Sequence, residues 1–90
     1  MRHYNIKVKG KVQGVAFRFS THAKAIKLGL TGLVKNMPDG SVYIEAEGNE
    51  EAINQLIEWC YVGPPRAKVN EVDASESELK GYRTFELKRL

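Results

Sequence analysis

The sequence predicts a two-layer α+β sandwich: a mainly antiparallel sheet with two helices on one face. Segments of apolar–polar alternation flank and separate two segments of helical spacing. Their order is β-α-β-β-α-β, followed by one more strand. No repeat, low-complexity tract or linker interrupts the 90 residues, so residues 1–90 read as one domain. The compact arrangement known for this order is ferredoxin-like.

The elements follow in turn. In HYNIKVKG, residues 3–10, Tyr4, Ile6 and Val8 share one face while His3, Asn5, Lys7 and Lys9 share the other, as in a half-buried strand. Residues 17–29 place Phe19, Ala23, Ile26 and Leu30 at helical spacing, with Gly29 as the stop and Lys24 and Lys27 toward solvent. TGLVKNM, residues 31–37, is a short strand, and Pro38-Asp39-Gly40 is a turn. In SVYIEAEG, residues 41–48, Val42, Ile44 and Ala46 oppose Tyr43, Glu45 and Glu47. Asn49 caps a second helix, Glu50 and Glu51 suit its first turn, and Ile53, Leu56, Ile57 and Cys60 form its apolar stripe. Gly63-Pro64-Pro65 ends it. AKVNEVDA, residues 67–74, is a fourth strand whose imperfect alternation suggests a bulge. YRTFELK, residues 82–88, is a fifth.

Composition narrows the function. Apolar residues make up 42%, which excludes a disordered chain, and no apolar run approaches the ~18 residues of a membrane span. The charged opening MRHYNIKVKG lacks the apolar stretch of a signal peptide. The single cysteine, Cys60, cannot form an internal disulfide, which fits a reducing, cytoplasmic setting. Residues 1–38 hold eight Lys or Arg and no acid; residues 39–90 hold six basic and all eleven acidic residues. Either the first half meets an anionic partner, or basic and acidic strands pair across one sheet.

A strand, a crossover helix and the next strand leave the two strands pointing the same way. The ends of the first two strands, near Gly10 and Asn36, therefore share one rim of the sheet. At that rim GKVQGVAFRFS, residues 10–20, runs a glycine-containing loop into a helix. Gly10 and Gly14 permit unusual backbone angles, and such a loop can gather N–H groups into an anion nest. Arg18 sits in the first helical turn, where a cation costs up to ~1 kcal/mol against the helix dipole unless an anion accompanies it. Its planar fork of donors suits phosphate. Taken alone, a plain tight turn with a surface arginine is the commoner meaning of such a stretch. Asn36 can donate and accept, so it could orient a water molecule, although an asparagine bonding its own backbone at a turn is commoner.

Other chemistry finds no candidates. There is no GK[ST] signature. His3 and His22 lack a Cys, Asp or Glu cluster at ligand spacing, so no metal site is expected. Cys60 lies on the buried stripe of the second helix, and Trp59 and the tyrosines read as packing.

GKVQGVAFR, residues 10–18, resembles the acylphosphatase signature G-x-V-Q-G-V-x-F-R at every defined position. GLVKNMPDG, residues 32–40, resembles the second motif of that family, G-aromatic-V-K-N-x-x-x-G, with Leu33 at the aromatic position. Spacing, length and element order agree along essentially the whole chain. The resemblance implies hydrolysis of acyl phosphates to a carboxylate and inorganic phosphate, with neither metal nor cofactor. It implies that the backbone amides of Gln13, Gly14, Val15, Ala16, Phe17 and Arg18 bind the phosphoryl group together with the Arg18 side chain, and that Asn36 positions the attacking water. It implies a small-molecule acyl phosphate as partner, with no nucleic acid or membrane, and a cytoplasmic monomer.

Two rival readings share the element order. An RNA-recognition module would stack bases on the open sheet face, but Tyr43, Glu45 and Glu47 are expected there, and carboxylates repel a phosphate backbone. A regulatory domain could keep the phosphate nest without turnover. Arg18 and Asn36 together favour catalysis.

Overall fold

A computed structural model of the chain describes residues 1–89. Among them the elements are β1 (Arg2–Lys11), α1 (Phe17–Lys27), β2 (Thr31–Asn36), β3 (Val42–Gly48), α2 (Glu50–Cys60), β4 (Lys68–Ser77) and β5 (Phe85–Leu87). The sheet order is β4-β1-β3-β2-β5. β1 pairs antiparallel with β3 and β4, β2 pairs antiparallel with β3, and β5 lies parallel to β2 at the edge. This is the ferredoxin-like sandwich expected from the element order. The bulge foreseen in the fourth strand falls where Lys9 pairs with Glu71 and Gly10 with Val69, leaving Asn70 unmatched.

One face of the sheet builds the core. Ile6 and Val8 of β1, Val34 of β2, and Val42, Ile44 and Ala46 of β3 are wholly buried. Ile53, Leu56 and Cys60 of α2 close over them, as the stripe predicted. Asn49 caps α2 by accepting from the Glu51 amide at 2.8 Å. Burial pushes the Cys60 thiol up to about 12, so it packs as an inert apolar group.

The buried face of α1 differs from the expectation. Phe19 is 65% exposed and Ile26 55%; Phe17, Thr21 and Ala25 are buried instead. The helix rests on the sheet through the small Thr21 and Ala25, which allow close approach, and anchors through Phe17, whose ring meets Trp59 at 5.3 Å. Burying that phenyl ring contributes about 1.5–3 kcal/mol. The two stripes have similar spacing, and side-chain size alone chose the wrong one.

Strand lengths also differ. β4 runs on to Ser77 because its last residues pair with β1 up to His3, although the residues from Asp73 onward are exposed. β5 begins only at Phe85, since the Tyr82 amide donates to Glu47 rather than to a neighbouring strand.

The second sheet face is not open around β3, where carboxylates were expected to show. Glu45 and Glu47 are buried beneath the segment around residues 80–82. Glu47 accepts from the amides of Lys80, Gly81 and Tyr82 and contacts His3 Nδ1 at 2.7 Å. Glu45 accepts from the hydroxyls of Tyr82 at 2.6 Å and Tyr43 at 2.8 Å, and pairs with Lys80 at 2.9 Å. Burial alone would raise both carboxyls. The donors around them outweigh it: Tyr82, Lys80 and Tyr43 for Glu45, and the Lys80 amide, His3 and the Tyr82 and Gly81 amides for Glu47. Both are held below the ordinary value. Part of the charge asymmetry along the sequence is thus resolved within the sheet and its loops, also through Arg2–Glu76 at 3.0 Å and Lys7–Asp39 at 2.8 Å.

Candidate active site

β1 and β2 both pair antiparallel with β3, so they run in the same direction and end on one rim. There the 12–16 loop meets the end of β2. A depression of about 300 Å³ is lined by Val12, Gly14, Ala16, Phe17, Arg18, Phe19 and Asn36. Residues 22 positions apart in sequence are brought to one wall, as the crossover geometry predicted.

The loop owes its shape to two left-handed residues. Gly14 has φ 74°, and Ala16, the residue before α1, has φ 66°. Ala16 is the sole non-glycine residue with positive φ among those described, and such a conformation costs about 1–2 kcal/mol. Gly10 plays a different part from the one expected. A Cβ there would lie 2.2 Å from the Lys68 carbonyl oxygen, so Gly10 serves the β1–β4 bulge and not the loop.

Among the described residues, no backbone N–H from Gln13 to Phe19 donates to a protein acceptor; the first bond of α1 runs from Ser20 to the Ala16 carbonyl. The first turn of α1 holds no acidic side chain. The loop therefore presents unpaired donors at the positive end of a helix dipole. Arg18 adds its guanidinium, and Nη1 donates to the Lys88 carbonyl at 2.9 Å. That contact orients the cation from the last strand, and among the described residues no carboxylate neutralises its charge.

Asn36 closes the depression from β2. Its Oδ1 is buried and finds no hydrogen-bond partner among the described residues; an unsatisfied buried acceptor costs about 1–3 kcal/mol. Asn36 does not bond the turn that follows. That turn is closed by Gly40 N–H on the Met37 carbonyl at 3.1 Å and by Asp39, which accepts from Ser41 N–H at 3.0 Å and its hydroxyl at 2.6 Å. Lys7, then Ser41, hold the Asp39 carboxyl well below the usual range.

The structure adds a role that sequence reasoning missed. The Gln13 side chain crosses the rim, and Nε2 donates to the carbonyls of Met37 at 2.8 Å and Ser41 at 2.9 Å. It clasps the 12–16 loop to the turn that follows Asn36. No local spacing signals this, because the contact depends on two strands ending together. Val15 turns into the core, 6% exposed, so only its backbone faces the loop.

Two shallower depressions adjoin the first, and Asn36 lines all three. One is lined by Arg18, Phe19, Asn36, Leu87 and Arg89. The other is lined by Leu33, Lys35, Asn36, Met37, Pro38, Lys88 and Arg89. Among the described residues, no carboxylate lines any of them. Among the described residues, no group of three His, Cys, Asp or Glu is placed to hold a metal ion, and no helix is long and apolar enough to cross a membrane.

This arrangement can hold a tetrahedral dianion in the loop and a water molecule against Asn36. The Acylphosphatase family model matches residues 4–87. An acylphosphatase of Acaryochloris marina is 51% identical over 82 residues, which cover 91% of this chain and 88% of that one. The crystal structure of an acylphosphatase from Bacillus subtilis superposes with a TM-score of 0.96 at 41% identity, covering 99% of this chain and 100% of that one. An acylphosphatase structure from Coxiella burnetii gives 0.94 at 41% identity, covering 97% and 92%. The chain belongs to the acylphosphatase family, enzymes that hydrolyse acyl phosphates.

Proposed function

We propose that the rim loop and Asn36 carry out this hydrolysis. The amides of Gln13 to Arg18 and the Arg18 guanidinium hold the three non-bridging phosphoryl oxygens. The Asn36 side-chain amide holds the water and turns one of its lone pairs toward phosphorus. The new O–P bond forms as the bridging P–O bond breaks, and that electron pair leaves with the carboxylate. A phosphoryl oxygen takes the water proton, so R–CO–O–PO₃²⁻ and H₂O give R–COO⁻ and H₂PO₄⁻.

The reaction asks little else of the protein. Phosphoryl transfer depends mainly on positioning and charge stabilisation. A carboxylate leaves as a stable anion without protonation, so no general acid is needed. The substrate's own oxygen serves as base, so His, Cys and metal chemistry are dispensable. The enzyme acts as a cytoplasmic monomer on a small acyl phosphate; the buried, unreactive Cys60 suits a reducing compartment.

The observation that carries this reading is that Asn36, whose buried Oδ1 finds no partner among the described residues, lines the same depression as the loop with unpaired N–H groups. The test is hydrolysis of benzoyl phosphate in EDTA, followed by ultraviolet absorbance. The parent turns over. Arg18→Gln loses turnover and inhibition by inorganic phosphate together. Asn36→Ala loses turnover and keeps phosphate inhibition, because it acts on the water. A fully active Asn36→Ala refutes the water-positioning role.

A further inference from the structure

The phosphoryl group occupies only one of the three depressions that meet at Asn36. The most apolar of them, about 370 Å³, opens on the β2–β5 side. Leu33, Met37 and Pro38 supply its apolar surface, and Lys35, Lys88 and Arg89 stand around it. Resting on the phosphatase reading above, we infer that this groove is the acyl subsite, and that its three cations select acyl groups carrying a second negative charge beyond the phosphate.

Continuity comes first. Asn36 and Arg89 both line the intermediate depression, which also contains Arg18. A substrate with its phosphoryl group in the loop can therefore extend past Arg18 and Asn36 into the groove without crossing the protein interior. Shape comes next. Leu33 lies beside Glu86 of β5 in the strand register, with Lys35 two residues further along β2 on the same face. Leu33 is where the second motif usually has an aromatic ring, and the smaller side chain leaves space for a flat or bulky acyl body.

Charge decides the selectivity. The phosphoryl group already has the loop amides and Arg18. Among the described residues no carboxylate lines this apolar groove; Lys35 and Arg89 have no carboxylate partner there, and Lys88 stands beside them paired to Glu86, which is more positive charge than one dianion requires. Lys88 holds Glu86 at 2.8 Å and Lys35 lies 5.6 Å from the Tyr43 ring centre, so both side chains are set toward this face. An acyl group with an apolar body and a distal carboxylate satisfies both surfaces: the body covers Leu33, Met37 and Pro38, and the distal anion meets the cations.

Two rigid substrates of matched size test this: 4-carboxybenzoyl phosphate and 4-methylbenzoyl phosphate, each rate divided by its uncatalysed rate. The parent enzyme is expected to favour the carboxy compound in kcat/KM by about tenfold, the scale of one charge-assisted contact. In Lys88→Gln/Arg89→Gln the preference falls to within about twofold, by loss of those contacts. Lys27→Gln, in the last turn of α1, controls for general attraction and keeps the preference. Equal turnover of both substrates by the parent overturns the inference while leaving the phosphatase reading intact. So does a preference that survives the double substitution, or one that Lys27→Gln removes as effectively. No turnover of either substrate overturns the phosphatase reading and the subsite with it.

Discussion

Gln13→Ala tests whether the two halves of the site are held together by one side chain. The substitution removes the bonds of Nε2 to the Met37 and Ser41 carbonyls, at 2.8 and 2.9 Å. Each is worth about 0.5–1.5 kcal/mol net. Neither carbonyl is orphaned: Met37 still accepts from Gly40, and Ser41 from the Met37 amide at 2.9 Å. The larger penalty for a stranded buried acceptor therefore does not apply, and the loss should be about 1–2 kcal/mol. In a domain of this size that lowers Tm by roughly 5–15 °C. The kinetic loss should be larger than this modest instability suggests. On the proposed mechanism the loop that holds phosphate and the Asn36 that holds water then move independently, and misplacement by about 1 Å can cost a hundredfold. Urea unfolding should show a lower midpoint at unchanged slope, and benzoyl phosphate hydrolysis a fall mainly in kcat. Gln13→Ala with parental kcat would refute the clasp. A rise in KM alone would show that Gln13 serves the loop and not its alignment with Asn36.

Other substitutions separate the remaining parts. Glu47→Gln leaves the Lys80, Gly81 and Tyr82 amides and His3 competing for a neutral group, and should cost about 3 kcal/mol in urea unfolding with the loop chemistry untouched. Stability should also depend on acid in a defined direction. The Glu45 and Glu47 carboxyls titrate lower in the folded chain than in the unfolded one, so the unfolded state binds more protons as pH falls. Their contribution is complete above the ordinary value of about 4.3 and disappears as pH drops through the lower folded values. Urea midpoints from pH 7 to pH 3 (approximate assay bounds set around that value) should fall at the acid end, less steeply in Glu47→Gln. The two glycines should part company. Gly14→Ala meets open space at φ 74° and should fold with weakened phosphate inhibition, whereas Gly10→Ala drives a Cβ to 2.2 Å from the Lys68 oxygen and should not give a stable fold by circular dichroism. Leu33→Trp should fill the acyl groove and slow benzoyl phosphate more than acetyl phosphate.

The element order, the sheet and the second helix were legible because the governing patterns are local. Asn49 caps within two residues, and Ile53, Leu56 and Cys60 repeat at helical spacing. The meeting of the loop with Asn36 was also legible, since parallel strands joined by a crossover must end together. What stayed hidden depends on contacts between distant segments. Phe17, Thr21 and Ala25 face the core because small side chains let α1 approach the sheet, and hydrophobicity favoured Phe19 and Ile26 instead. Glu45 and Glu47 looked solvated because nothing in strand alternation announces that residues 80–82 fold over them. For Gln13 the family motif implied only a backbone role, while its side-chain clasp required the position of a turn 24 residues away.

The Arg18–Lys88 contact has a consequence for biosynthesis. A ribosome releases the 12–16 loop well before β5, with 70 residues between the two partners. A nascent chain can complete α1 and the β2–β3 hairpin, but its arginine remains unoriented until Lys88 has emerged and β5 has docked beside β2. Such distant contacts form late and slowly. The orientation of Arg18 is therefore set only when β5 docks, in a step that couples a late strand to an early loop.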